Sequence, residues 1–260
     1  MHKYKITLEY DGTGYSGWQT QKNARSIQGT LMEAAREVFG HVADLQGAGR
    51  TDAGVHALGQ VAHIETEKKL PPQRILMGLN DQLPAPINVL AVEPASPRFH
   101  ARHHARQRIY LYQISKRRTA FGKRYVWWVK DDLDKGRMQE ACALFVGMHD
   151  FASFADKRFD KDASTKVMVD AVEFKDMDDL CIIRVAGSHF LWKMVRRMVG
   201  VLAEVGRGNL DNRAVAKMLQ HYSTEPARLT APPSGLFLEQ VLYEGEKEKI
   251  VKLPRYYPVF

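Results

Sequence analysis

Residues 3–10 alternate polar and apolar positions, with Tyr4, Ile6, Leu8 and Tyr10 on one face, the pattern of a half-buried strand. Asp11-Gly12-Thr13-Gly14 interrupts that alternation as a turn. A period near 3.6 follows: Ile27, Leu31, Ala34, Ala35 and Val38 define one helical face, Ser26 stands at its N-cap position and Gly40 at its end. Short strands are expected near 42–47 and 59–66, a helix near 72–80 and a strand at 87–93. Beyond Pro94–Pro97 the pattern predicts strands near 107–115 and 124–129. A helix capped by Asp134 follows, carrying Met138, Ala141, Leu144 and Phe145. Strands at 166–174 and 180–186 precede a long apolar helix from Phe190 to Val205, a shorter helix at 211–221 and a last strand from Leu236 to Tyr243.

Strands and helices mix without a strict βαβ alternation, which points to an α+β fold with a largely antiparallel sheet flanked by helices. The Pro94–Pro97 segment is the best boundary, dividing an N-terminal half, 1–96, from a C-terminal half, 97–245; residues 246–260 form a tail. The polar run 155–164 reads as a loop. No apolar run is long enough to span a bilayer and no signal-peptide core is present at the start, so a cytoplasmic location is expected. The two cysteines, Cys142 and Cys181, match no metal spacing and read as small buried hydrophobes of a reducing compartment.

The net charge is +8, and its distribution says more than its size. From Ala95 to Lys130 there is no Asp or Glu, while ten Lys or Arg residues occur, among them Arg98, Arg102, Arg118 and Lys123. Tyr110, Tyr112, Phe121, Tyr125, Trp127 and Trp128 interleave aromatic rings with these cations. Cations beside stacking surfaces are what an RNA backbone and an unstacked base require. His100, His103 and His104 lie in the same cationic stretch without a nearby carboxylate or cysteine, a poor setting for a metal. Neither a phosphate-binding P-loop nor the zinc-deaminase signature occurs.

The densest candidate for chemistry is Gly47-Ala48-Gly49-Arg50-Thr51-Asp52-Ala53-Gly54-Val55-His56-Ala57. Three glycines in eight residues disfavour a helix or strand interior and suit a tight loop near a ligand. That loop presents one carboxylate, Asp52, flanked by Arg50 and His56; an ordinary turn with a structural Arg50–Asp52 pair is the competing reading of the same residues.

These residues, with Asp11–Gln19, Arg25-Ser26-Ile27-Gln28 and Gly59-Gln60-Val61-Ala62-His63, resemble the TruA-type tRNA pseudouridine synthases. The resemblance continues through Phe99-His100-Ala101-Arg102, Tyr110-x-Tyr112, His149-Asp150-Phe151-x-Ser153-Phe154, Met194-Val195-Arg196-x-Met198-Val199-Gly200 and Gly235-Leu236-Phe237-Leu238, in the family's order over residues 4–243. It implies the pseudouridine synthase fold, two similar α/β halves with an active-site cleft between them. It places Asp52 on the family's catalytic aspartate and Tyr110 on the tyrosine that stacks on the target base. Arg196 falls on an arginine paired with the aspartate, Leu236 on an apolar residue beside the base, and Arg50 on an arginine that contacts RNA and helps displace the target nucleotide. The implied function is isomerisation of uridine in the tRNA anticodon stem-loop at positions 38, 39 and 40, by a homodimer. Two alternatives stand beside it: the same chemistry on another RNA site, and a non-catalytic RNA-binding protein of related fold.

Pseudouridine formation breaks the bond from uracil N1 to the ribose and rejoins the base through C5, with no redox change and no atoms lost, so it calls for no cofactor and no metal. One ionised carboxylate suffices, and a nearby arginine favours the charged form. Attack at the sugar, attack at the ring and removal of a ribose proton are all routes open to Asp52. The sequence departs from the family at Pro86, at Lys166 and at Ser188-His189-Phe190, positions that bear on RNA choice rather than on the carboxylate.

Overall fold

The computed structural model describes residues 1–156 and 164–247. The tail beyond Lys247 and most of the polar run 155–164 lie outside the described residues. In chain order the elements are β1 His2–Tyr10, α1 Ile27–Phe39, β2 Asp44–Gly47, β3 His56–Thr66, α2 Pro72–Gln82 and β4 Ile87–Ala95. Then come β5 Gln107–Ser115, β6 Trp127–Trp128, α3 Lys135–Leu144, β7 Gly147–Asp150, β8 Lys166–Met177, β9 Leu180–Gly187, α4 Met194–Gly206, α5 Asn212–Gln220, α6 Glu225–Arg228 and β10 Leu236–Leu242. The chain is α+β, and most strand pairs are antiparallel.

These elements form two compact units. One comprises Met1–Arg106 together with the described residues from Phe237 onward, and the other runs from Gln107 to Leu236. The Pro94–Pro97 segment lies inside the first unit, at the end of β4.

In the first unit β1 is central, antiparallel to β3 and to β4, while β2 pairs antiparallel with β3. Tyr4, Ile6, Leu8 and Tyr10 are all buried, as the alternation of β1 requires. Helices α1 and α2 pack on each other, on β2 and on β4. Ser26 caps α1, its Oγ accepting from Gly29 N at 3.1 Å, and Ile27, Leu31, Ala34, Ala35 and Phe39 form the buried face. Strand β10 returns to this unit and pairs parallel with the start of β3, Phe237 opposite His56 and Leu238 opposite Ala57.

In the second unit β5, β9, β8 and β7 form an antiparallel series, and β6 adds parallel to the end of β5. Helix α3, capped by Asp134 through Arg137 N at 3.0 Å, packs on β8, α4 and α5. Cys142 in α3 and Cys181 in β9 are free thiols and both are buried; burial pushes the Cys142 thiol up to about 12.

Two expected elements differ. The strand expected at 124–129 is only Trp127–Trp128, preceded by a 3-10 turn at Lys123–Tyr125. Gly122, at φ 71, sets up that turn, so the alternation there serves a loop. The helix expected from Phe190 begins at Met194, because Lys193 adopts a left-handed φ of 63 and Met194 N closes a turn on Leu191 O. The short strand β7 and helix α6 carry too few residues to show a period.

Candidate active site

Asp52 lies on the loop between β2 and β3. The ends of that loop are fixed by β3: Ala48 N donates to Val61 O at 2.7 Å, and the Gln60 amide donates to Gly49 O at 2.9 Å. Its centre is fixed by the turn after β1. Trp18 N donates to Thr51 O at 3.0 Å, Gly54 N donates to Tyr15 O at 3.3 Å, and the Tyr10 and Thr51 hydroxyls meet at 2.8 Å. Val55 N closes the turn on Asp52 O at 3.1 Å. Thr51 and Val55 are buried, whereas the Asp52 side chain is half-buried and Arg50 is exposed. The backbone on both sides of the carboxylate is therefore held before any ligand arrives, which is how a site avoids spending binding energy on ordering.

The approach of the two turns depends on Gly17. Its φ is 95, and a Cβ there would lie 2.4 Å from Thr51 O. Only a residue without a side chain lets residues 15–18 reach the Asp52 loop, where Trp18 N donates to it and Tyr15 O accepts from it. The glycine run around Asp52 marks the loop in the sequence; Gly17 lies in the Asp11–Gln19 segment more than thirty residues away, and its contact with the loop shows only in the structure.

His56 ends the loop and is buried. Its Nδ1 accepts from Gly12 N at 3.1 Å, lies 3.1 Å from Asp11 Oδ1, and its ring stacks on Phe237 with centroids 4.7 Å apart. His63 is equally buried. Its Nδ1 accepts from Ala101 N at 3.1 Å and its Nε2 is 2.9 Å from Asp44 Oδ2, so the proton sits on Nε2. Both histidines are core fixtures of the first unit. Burial tends to raise the Asp44 carboxyl, but the hydrogen bonds from His63 and Gln46 outweigh it and hold the group below its ordinary value.

Tyr110, Arg196 and Leu236 belong to the second unit. Tyr110 lies on β5 opposite Val185, 8% exposed, with its ring edge-on to Phe190 at 5.2 Å. Arg196 occupies the first turn of α4 and is half-buried; its Nε donates to Ala231 O at 2.7 Å, and Ala231 N donates back to Arg196 O at 3.0 Å. Tyr112, fully buried, donates its hydroxyl to Pro232 O at 2.8 Å. Burial pushes that phenol well above its ordinary value, and the Arg196 charge opposes this only in part. Leu236, 6% exposed, stands at the end of the same segment. Residues 231–236 thus gather Arg196, Tyr112 and Leu236 about one stretch of backbone.

The two adjacent arginines of α4 are not equivalent. Arg197 is 5% exposed, its guanidinium donates to Ala155 O and faces Asp156, and burial holds its pKa below the ordinary value. Lys193 also reaches Asp156, at 2.8 Å. Arg197 and Lys193 therefore tie α4 to residues 155–156, and Arg196 is the one left toward the 231–236 segment. Among the described residues, no group of three or more His, Cys, Asp or Glu side chains is placed to hold a metal ion. No helix among them is long and apolar enough to cross a membrane.

Comparison with known proteins matches this chain to a family. A family model described as "tRNA pseudouridine synthase" matches residues 6–104 and 141–244. The tRNA pseudouridine synthase A of Rhodopseudomonas palustris (strain BisA53) is 42% identical over 247 residues, covering 94% of this chain and 100% of that protein. The tRNA pseudouridine synthase A 1 of Protochlamydia amoebophila (strain UWE25) is 40% identical over 95% of this chain and 98% of its own length. The tRNA pseudouridine synthase A of Caldicellulosiruptor bescii is 37% identical, over 94% of this chain and all of its own.

Proposed function

The chain belongs to the tRNA pseudouridine synthase family, and from that premise we propose that it isomerises uridine to pseudouridine at positions 38, 39 and 40 of the tRNA anticodon stem-loop, with Asp52 as the catalytic carboxylate. The observation that carries the role of Asp52 is its setting: a half-buried carboxylate on a loop whose backbone is anchored on both flanks, by Trp18 and Tyr10 at Thr51 and by Tyr15 at Gly54. An ordinary surface turn needs no such anchoring.

The reaction conserves atoms. The N1–C1′ bond breaks, the uracil turns, C5 bonds to C1′, and the proton lost from C5 is balanced by one gained at N1. Asp52 serves either as the nucleophile that holds one of the separated fragments or as the base that removes a proton; in both roles it acts ionised. Extruding the target nucleotide from its stack costs roughly a few kcal/mol. Tyr110 recovers part of this by stacking on the base, Leu236 supplies apolar contact beside it, and Arg50 contacts the RNA backbone as the nucleotide leaves the stem. Arg196, oriented by its bond to Ala231, supplies the cation that favours the charged carboxylate. A homodimer in the cytoplasm, with tRNA as its RNA partner, completes the reading, and sedimentation of the purified protein tests the dimer.

The decisive experiment incubates the protein with unmodified tRNA and maps pseudouridine at each position. Asp52→Asn is expected to lower the rate by at least about 10³-fold with folding intact. A normal yield from Asp52→Asn would overturn the catalytic assignment, and pseudouridine at another position would overturn the choice of target.

A further inference from the structure

The basic run of residues 95–130 is not uniformly available to a polyanion. The end of β8 and the turn to β9 supply acids that the local sequence lacks: Lys116 pairs with Asp176, and Arg117 Nε lies 2.5 Å from Asp179 Oδ2. Arg118 and Lys123, in the same loop, have no carboxylate partner among the described residues, and both are exposed. They line a cavity of about 760 Å³, together with Thr119, Val126, Trp127 and Trp128.

The aromatic walls of this cavity are unusual for a surface loop. Trp128 is 41% exposed, and the Arg118 guanidinium stands 5.9 Å from its ring centroid. Trp127 is held edge-on against buried Tyr112, centroids 6.3 Å apart. The floor is rigid: β6 pairs with the end of β5, and Ser234 Oγ donates to Val126 O at 3.0 Å. A fixed indole beside two unpaired cations matches the two faces of a nucleotide, a flat base and an anionic phosphate. An exposed tryptophan face without cations would suit an apolar partner instead.

We propose that this cavity is a second nucleotide-binding site, in which one unpaired base of the RNA stacks on Trp128 while Arg118 and Lys123 hold its phosphates. The proposal rests on the reading of the protein as an RNA-modifying enzyme, but the site is separate from the one that takes the target uridine. Trp128 pairs with Ser115, five residues along β5 from Tyr110, or about 17 Å at the rise of a strand. The site would select RNAs that present a splayed base at that distance from the modified position, and so contribute to the choice of target.

The test is equilibrium binding of unmodified tRNA, with tryptophan fluorescence followed in parallel. Trp128→Ala is expected to weaken binding about tenfold, Trp128→Phe to recover most of the loss, and Tyr222→Ala, at an exposed aromatic elsewhere, to bind as wild type. The double variant Arg118→Ala/Lys123→Ala is expected to reduce the slope of log Kd against log salt by between about 1 and 2. Wild-type affinity and quenching in Trp128→Ala would overturn the proposal. So would a change in oligomeric state without a change in RNA affinity, since the cavity would then be a protein contact. Wild-type protein that makes no pseudouridine, while Trp128→Ala still loses affinity, would refute the enzymatic reading and leave this site standing.

Discussion

Gly200 of α4 lies directly against the backbone of Leu229: a Cβ at Gly200 would fall 1.6 Å from Leu229 O. This contact sits one turn beyond Arg196, whose Nε and carbonyl both bond to Ala231. The closeness of helix and segment is therefore what puts Ala231 within reach of the arginine. Gly200→Ala must push the two apart, a backbone clash with no flexible side chain to absorb it. We expect a loss of stability of about 1–3 kcal/mol or more, read by denaturant unfolding, and a fall in activity larger than that of an equally destabilised variant elsewhere.

Gly17 plays the corresponding part for the carboxylate. Gly17→Ala meets Thr51 O and also carries the penalty of a positive φ. The variant is expected to fold, because the clash is confined to two loops. Its turnover should fall about 10²-fold through misplacement of Asp52. Single-turnover assays at saturating tRNA check this; wild-type turnover would show that the loop does not depend on the Gly17 contact.

Tyr110 separates stacking from hydroxyl chemistry. Loss of the ring in Tyr110→Ala is expected to cost about 1–3 kcal/mol of interaction with the flipped base, whereas Tyr110→Phe keeps the ring and its edge-on contact with Phe190. If Tyr110→Phe is as impaired as Tyr110→Ala, the hydroxyl takes part in proton transfer. Rate constants for the two variants on one tRNA decide between these.

The Asp44–His63 pair gives a pH dependence of known sign. The Asp44 carboxyl is depressed in the folded state, so its contribution is fully present above the ordinary aspartate range near 4 and is lost as pH falls through the lower, folded value. Asp44 is more than a third exposed, which limits the contribution to about 1 kcal/mol or less. Asp44→Asn should be less stable than wild type at pH 7, with the difference shrinking as pH falls below the ordinary aspartate range. Urea unfolding across that range measures the difference.

Much of this was legible in the sequence, for local reasons. The alternation of β1, the Ser26 and Asp134 caps and the buried stripe of α1 each depend on neighbours within a few residues, and each stands where the pattern puts it, except that Phe39 rather than Val38 closes the stripe. The Asp52 loop was visible because its glycines are adjacent to the carboxylate they serve. What was not legible depends on partners distant in the chain. Arg196 and Arg197 look alike in a helical repeat, yet Asp156 makes one of them structural. Tyr110 and Tyr112 share a strand face, yet only Tyr112 is sealed completely, by the segment that returns at Pro232. The acids that neutralise Lys116 and Arg117 lie sixty residues further on, so the basic stretch reads as more open than it is. The 124–129 alternation misled because aromatic residues on a loop wall mimic the spacing of a strand.

The parallel pairing of β10 with β3 joins residues 237 and 238 to 56 and 57, with residues 58–236 intervening, the second unit among them. On the ribosome, the stretch bearing Asp52 is therefore made early but completed late. Phe237 must emerge before it can cover His56, so the histidine that ends the Asp52 loop is covered only after the second unit has been synthesised. A nascent chain that has not reached β10 would already hold the residues that bond the Asp52 loop to β1, to the turn after it and to β3, and would lack the cover over His56.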